Sequence, residues 1–283
     1  MADFFHSLPM RDEIEIRVHG DPASPTLIYL PGLHGDWTLI AAFRLAVQKE
    51  VRLVEITYPR TTTWSLADYA KAMAEKLAEH QIDAGWLLGE SFGSQVVWAL
   101  LQRLQMASQS DRVFQPTGVI LTGGFVRHPL MIEVVTAQWL HRFTPARFMG
   151  SCLATYARYA RLRRQSSAET REGISEFSRR RAEPNDREAI LHRYSLIRAA
   201  DFRPFARSFH LPVYCLSGWL DPIVPWPLTL RWFRCNCPGF RDAKIIGWAD
   251  HNALGTRPDS AARTVLGWIK QASSIDGRRV ATS

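Results

Sequence analysis

The sequence predicts an α/β protein: a mostly parallel central sheet flanked by helices and interrupted by an all-helical insertion. Three observations carry this. Strand-like and helix-like stretches alternate from Glu13 to Thr122 and again from Val213 to Ala272, the pattern of a parallel sheet covered on both faces. Between them, residues 127–209 show helical periodicity and no convincing strand, in a block too long for a loop. Lastly, Gly89-Glu90-Ser91-Phe92-Gly93 directly follows the apolar run Trp86-Leu87-Leu88. That is a serine on a tight turn from a strand into a helix.

The elements follow in order. Glu13–His19 alternates polar and apolar residues, as an edge strand does. Thr26–Leu30 is a continuous apolar run stopped by Pro31-Gly32 and reads as a buried strand. Trp37–Gln48 has helical spacing. Arg52–Tyr58 is strand-like and ends at Pro59. Ser65 caps a helix through about His80, with Leu66, Tyr69, Ala70, Met73 and Leu77 on its apolar face. Trp86–Leu88 leads into the turn at Ser91, and Phe92–Leu104 is the helix beyond it. Thr117–Thr122 is a strand halted by Gly123-Gly124. After the helical block, Val213–Ser217 resumes the strands, Trp226–Cys235 is helical, Ala243–Ile246 is a strand and Pro258–Ala272 is an amphipathic helix. Asp276–Ser283 reads as a mobile tail. The domain division expected is 1–126 with 210–283 as the core, and 127–209 as a helical cap.

Composition narrows the function. The chain has 283 residues, 46% hydrophobic and 22% charged, enough for one large core or a core with an inserted subdomain. No apolar run is long enough to span a membrane. The N-terminus lacks a basic stretch followed by a long apolar one, so the cytoplasm is the expected location. Cys152, Cys215, Cys235 and Cys237 are too scattered for a disulfide framework and read as free thiols; no metal site is expected. The net charge is +8. Between Arg142 and Arg207 stand fifteen arginines, no lysine and seven acids, so this segment alone accounts for the excess. No nucleic-acid recognition motif accompanies the arginines, which argues against nucleic acid as partner.

The chemistry rests on three side chains. Small residues two places either side of Ser91 let strand and helix approach, leaving the hydroxyl alone above the sheet. A serine hydroxyl needs a base within hydrogen-bond reach, and the base needs a third group to fix its tautomer. Asp221, in Ser217-Gly218-Trp219-Leu220-Asp221-Pro222, lies on the loop leaving a strand's carboxyl end, where open α/β sheets place their sites. Of the nine histidines, His251 lies after the last strand and before the last helix. His210 is the alternative base, and Asp250 the alternative acid.

In this order and placement, Ser91, Asp221 and His251 resemble the α/β-hydrolase superfamily, and the resemblance extends over nearly the whole chain. Within it, the chain is similar to bacterial carboxylesterases. The segment Leu27-Ile28-Tyr29-Leu30-Pro31-Gly32-Leu33-His34-Gly35-Asp36-Trp37 is similar to the superfamily's oxyanion loop. Many members have His-Gly where this chain has Pro31-Gly32, a departure that leaves the backbone donors in place. The resemblance implies an α/β-hydrolase fold, a triad of Ser91, Asp221 and His251, and an oxyanion hole from the N–H groups of Leu33 and Phe92. A serine nucleophile separates the chain from the haloalkane dehalogenases and epoxide hydrolases, which use aspartate. His34, Trp37, Phe125, Trp139 and Trp219 are candidate substrate contacts, although aromatic residues near strand ends are more often plain core. Glu90 is expected to hydrogen-bond beneath the turn and not to catalyse.

The expected activity is hydrolysis of a small-molecule carboxylic ester through an acyl-enzyme, with no cofactor. The same triad also suits a thioesterase, a carbon–carbon bond hydrolase or an acyltransferase. The arginine-rich segment is similar to that of the superfamily's carboxylesterase of biotin synthesis. That implies an acidic carrier protein as a possible partner at Arg158, Arg161, Arg163, Arg164, Arg179, Arg180 and Arg181. A binding or scaffold protein on a hydrolase fold is the alternative outside enzymes. Such proteins usually lack a triad residue, and this chain fills all three positions.

Overall fold

The computed structural model describes residues 13–107, 114–145 and 168–280. Seven strands form one sheet: β1 (Glu15–His19), β2 (Thr26–Leu30), β3 (Arg52–Thr57), β4 (Ala84–Glu90), β5 (Gln115–Thr122), β6 (Val213–Gly218) and β7 (Phe240–Ile246). Their order across the sheet is β1-β3-β2-β4-β5-β6-β7. Only β1, at the edge, is antiparallel; the remaining pairs are parallel. The carboxyl ends of six strands therefore open on one side.

The side-chain period of two divides the core into two layers. Ile28 and Leu30 of β2, Leu87 of β4 and Val119 and Leu121 of β5 pack on one face. Leu27 and Tyr29, Trp86 and Leu88, and Ile120 pack on the other. Helices α2 (Leu66–Glu79) and α3 (Gly93–Met106) cover the first face with Tyr69, Met73, Leu77, Val96 and Trp98. Helix α1 (Ala41–Val47) and the last helix, Pro258–Val280, cover the second with Phe43, Val47, Val265 and Ile269.

Ser65 starts α2 with a capping box: its hydroxyl accepts the Asp68 N–H at 3.2 Å while its own N–H donates to Asp68 Oδ2 at 2.8 Å. Where the spacing suggested one helix over Trp37–Gln48, there is a 3-10 turn, Thr38–Ile40, and then α1. The Asp36 carboxylate accepts both the N–H and the hydroxyl of Thr38, which tightens that turn. The last helix does not stop near Ala272. It continues through Val280, because no proline intervenes and a single glycine, Gly277, costs a helix only about 1 kcal/mol. The tail expected over Asp276–Ser283 is thus helical as far as it is described.

Between β5 and β6 the described residues form α4 (Met131–Phe143), α5 (Ala168–Arg180), α6 (Asp186–Ala199) and a four-residue helix, Arg203–Ala206. The two ends of this segment are tied together: the Phe202 N–H donates to the Val126 carbonyl at 3.0 Å, and Arg127 Nη1 meets Asp201 Oδ2 at 2.9 Å. Helix α5 packs beside the Thr38 turn and α1, with Ile174 and Phe177 buried. Cys215, Cys235 and Cys237 are free thiols, and Cys152 lies outside the described residues.

Candidate active site

Ser91 sits between the end of β4 and the first turn of α3 with φ at +50°, a left-handed conformation that costs a non-glycine residue about 1 kcal/mol or more. The surroundings impose it. The Ser91 N–H donates to the Thr122 carbonyl at 3.0 Å, and its carbonyl accepts the Ser94 hydroxyl at 2.6 Å. Ser94 Oγ also takes the Phe125 N–H at 3.0 Å, and Gln95 Nε2 donates to the Phe125 carbonyl at 2.7 Å. These bonds stitch the loop after β5 beneath the turn. Gly93 lets α3 approach β2: a Cβ there would stand 2.2 Å from the Leu30 carbonyl oxygen.

Asp221 lies on the loop after β6, its side chain wholly shielded from solvent. Oδ1 accepts the N–H groups of Ile223 at 2.8 Å and Val224 at 2.9 Å, and Oδ2 faces His251 Nδ1 at 2.8 Å. Asp221 is both the turn aspartate that its proline suggests and the carboxylate on the histidine. Asp250 is engaged elsewhere, accepting the Asn252 N–H at 2.9 Å and the Thr256 hydroxyl at 3.2 Å. His210 is exposed and leans on the Ser208 carbonyl. The two loops are laced together by the Trp219 N–H to the Ile246 carbonyl and the Leu220 N–H to the Ala249 carbonyl, at 3.0 and 2.9 Å.

Burial by itself lowers the pKa of His251, but the hydrogen bond and charge of Asp221, with Glu90 and Asp250 behind them, outweigh it and raise the value above the ordinary one. Burial by itself raises the pKa of Asp221, and the His251 bond with the two backbone donors brings it below the ordinary one. Glu90 accepts the hydroxyl of the buried Tyr29. Its side chain also borders the cavity described next.

Ser91 and His251 open into one cavity of ≈ 850 Å³ at the carboxyl ends of the strands. Gly32, Leu33 and His34 form one wall, and Phe125 another. Among the described residues no backbone carbonyl takes the N–H of Leu33 or of Phe92. No family model and no curated protein sequence matches the chain. Solved structures do. An esterase from Thermogutta terrifontis is 17% identical, with a TM-score of 0.67 over 92% of this chain and 93% of that one. An esterase from Exiguobacterium antarcticum is 14% identical, TM-score 0.69, over 91% and 95%. An enol-lactonase from Burkholderia xenovorans is 18% identical, TM-score 0.68, over 91% and 96%.

The chain has the α/β-hydrolase fold. On it, not every residue singled out from sequence reaches the cavity. Trp37 is buried in the core, beneath the guanidinium groups of Arg17 and Arg180 at 4.1 and 5.3 Å. Trp139 is 59% exposed and packs on Phe143. Trp219 is 54% exposed and meets Trp248 edge to face. None of the three lines the cavity. His34 does, in a wall where the surrounding protein, followed by Arg181, lowers its pKa well below that of a free imidazole, so it stays neutral.

Much of the apolar wall comes from positions with no sequence signal of their own, among them Ile132, Ala137 and Leu140 on α4, and Ile190, Tyr194 and Ile197 on α6. Apolar residues at helical spacing read equally well as core. Arg180 and Arg181, expected on a docking surface, turn inward. Arg180 pairs with Glu176 at 3.0 Å, and Arg181 with Asp36 and Asp186. Arg179 is exposed, and Arg158, Arg161, Arg163 and Arg164 lie outside the described residues. Among the described residues no cluster could hold a metal ion, and no helix is long and apolar enough to cross a membrane.

Proposed function

We propose that this protein is a serine hydrolase that cleaves a carboxylic ester through an acyl-enzyme. The observation that carries the reading is the convergence, at one end of the sheet, of a serine on a left-handed turn and a histidine held by a buried aspartate, both opening into the same cavity. Ser91 Oγ attacks the ester carbonyl while His251 Nε2 takes its proton. Asp221, on Nδ1, fixes the tautomer and stabilises the imidazolium. The oxyanion is received by the N–H groups of Leu33 and Phe92. His251 returns the proton to the leaving alcohol, and water, activated by the same imidazole, releases the acid.

The helical segment 127–209 serves as a cap. Its helices α4 and α6 supply much of the apolar wall, which suits an uncharged acyl or alcohol group of some size. Several similar structures are of esterases and lactonases, whose reactions open an acyl–oxygen bond. That supports an oxygen ester over the thioester and carbon–carbon alternatives. A chain-length series of p-nitrophenyl esters, run with wild type and Ser91→Ala, tests the reading. Turnover should fall on the order of a thousandfold or more in the variant, with the circular dichroism spectrum unchanged. Near-normal hydrolysis by Ser91→Ala would contradict it.

A further inference from the structure

Arg193 is a buried cation that the chemistry above does not use. It lies in the middle of α6 and is 1% exposed. Nη1 donates to the Leu33 carbonyl and Nη2 to the Pro59 carbonyl, both at 2.9 Å, while Nε lies 3.5 Å from the Tyr69 hydroxyl. The guanidinium stands 5.7 Å from the centre of the Tyr58 ring. Gly35 leaves the room for it: a Cβ at that position would sit 2.5 Å from Nη1. The nearby carboxylates serve other cations, Asp36 taking Arg181, and Asp186 taking Arg60 and Arg181. A buried charge held by neutral carbonyls is costly to place, and a fork aimed at two particular carbonyls is a geometry that lysine cannot reproduce.

We propose that Arg193 is a positioning residue for the oxyanion hole, an inference that rests on the hydrolase reading. The direction of the Leu33 N–H is set by the peptide that joins it to Gly32. In a trans peptide the C=O and N–H point opposite ways. The Gly32 carbonyl is turned to the Gly35 N–H at 2.9 Å, so the Leu33 N–H points away from that bond. Arg193 grips the next carbonyl, that of Leu33 itself. The peptide that carries the donor and the one that follows it are therefore both held.

The second donor is braced from the same place. Tyr58 and Tyr69 both meet the Phe92 ring edge to face, with centroids 6.0 and 5.9 Å away. Both tyrosines lie against Arg193. One guanidinium, carried by a helix of the inserted segment, thus supports both halves of the hole without lining the cavity. The seating of α6 and the geometry of the hole are coupled.

Arg193→Met keeps the stem and removes both carbonyl bonds; Arg193→Lys keeps the charge and restores one donor. Each is assayed on a p-nitrophenyl ester, with turnover expressed per serine titrated to completion by a fluorophosphonate, so that any unfolded fraction drops out. Arg193→Met should lose about ten- to a hundredfold in kcat per titrated site, with KM within about twofold of wild type, and Arg193→Lys should fall between. Unchanged kcat per site in both variants, whatever the melting temperature, would overturn the proposal, as would a loss confined to KM. If Arg193→Met does not fold, Arg193→Lys is judged on the same two readouts. Ser91→Ala in the same assay separates the claims: persisting hydrolysis there removes the hydrolase reading, whereas an inactive Ser91→Ala beside an unchanged Arg193→Met removes only this one.

Discussion

His251 Nδ1 stands 2.8 Å from a carboxylate that also accepts two backbone N–H groups. A base so held gains its proton more readily than free imidazole, even though burial opposes this. In the mechanism proposed above, its neutral form accepts the serine proton. Activity should therefore fall as pH drops through a value above the ordinary imidazole pKa of about 6.5. In Asp221→Asn the acid limb of kcat/KM should move to lower pH, because the groups that raise the pKa are weakened while burial remains. Turnover should fall on the order of 10⁴-fold with the lost tautomer control. A pH–rate profile of both proteins checks this. An acid limb in the ordinary carboxylate range, unmoved by Asp221→Asn, would mean that another group is the base.

Single residues were legible from sequence where a local reason singled them out. Ser91 is marked by a turn that needs glycine beside it, Asp221 by its proline, and His251 by its place between the last strand and the last helix. Arg193 carries no such mark. Its partners, Leu33 and Pro59, are more than a hundred residues away, and in sequence it is one arginine among fifteen between Arg142 and Arg207. The tryptophans failed for the opposite reason. Bulk near a strand end is needed by a core, a pocket and an exposed rim alike, and Trp37, Trp139 and Trp219 went to the core and the surface.

At the level of elements, α4 and α6 each present an apolar side to the cavity. Ala137 is the smallest of the α4 residues that line it, which makes it the place to reduce the cavity's volume. Ala137→Trp should lower kcat/KM for a long-chain p-nitrophenyl ester, relative to the acetyl ester, by about tenfold or more, since each methylene excluded from a pocket is worth about 1–3 kcal/mol. An unchanged ratio would mean that the acyl chain leaves by another side. The strands and the capped helix α2 were readable because their signals are local: a period of two, an apolar run, a serine ahead of helically spaced apolar residues. Where the segment between β5 and β6 folds was not readable, because the same helical periodicity serves α4 and α6 over the cavity and α5 beside α1.

Across the whole molecule, one mostly parallel sheet brings the loops after β2, β4, β6 and β7 to a common end. Residues from Gly32 to Asn252 meet there around one cavity. That the sheet would be mostly parallel, with Ser91, Asp221 and His251 at the carboxyl ends of its strands, was legible from alternating elements, because such a connectivity leaves few topologies. The shape of the cavity was not, since it depends on side chains from segments that share no local signal. Covalent labelling shows whether Ser91 is the nucleophile at that end. The protein is treated with a fluorophosphonate, and the adduct is located by intact and peptide mass spectrometry, with Ser91→Ala alongside. One adduct per chain is expected, on Ser91, with ester hydrolysis lost in proportion to labelling and no adduct on Ser91→Ala, if Ser91 is the nucleophile. An adduct on another residue, or full activity in a chain labelled at Ser91, would contradict it.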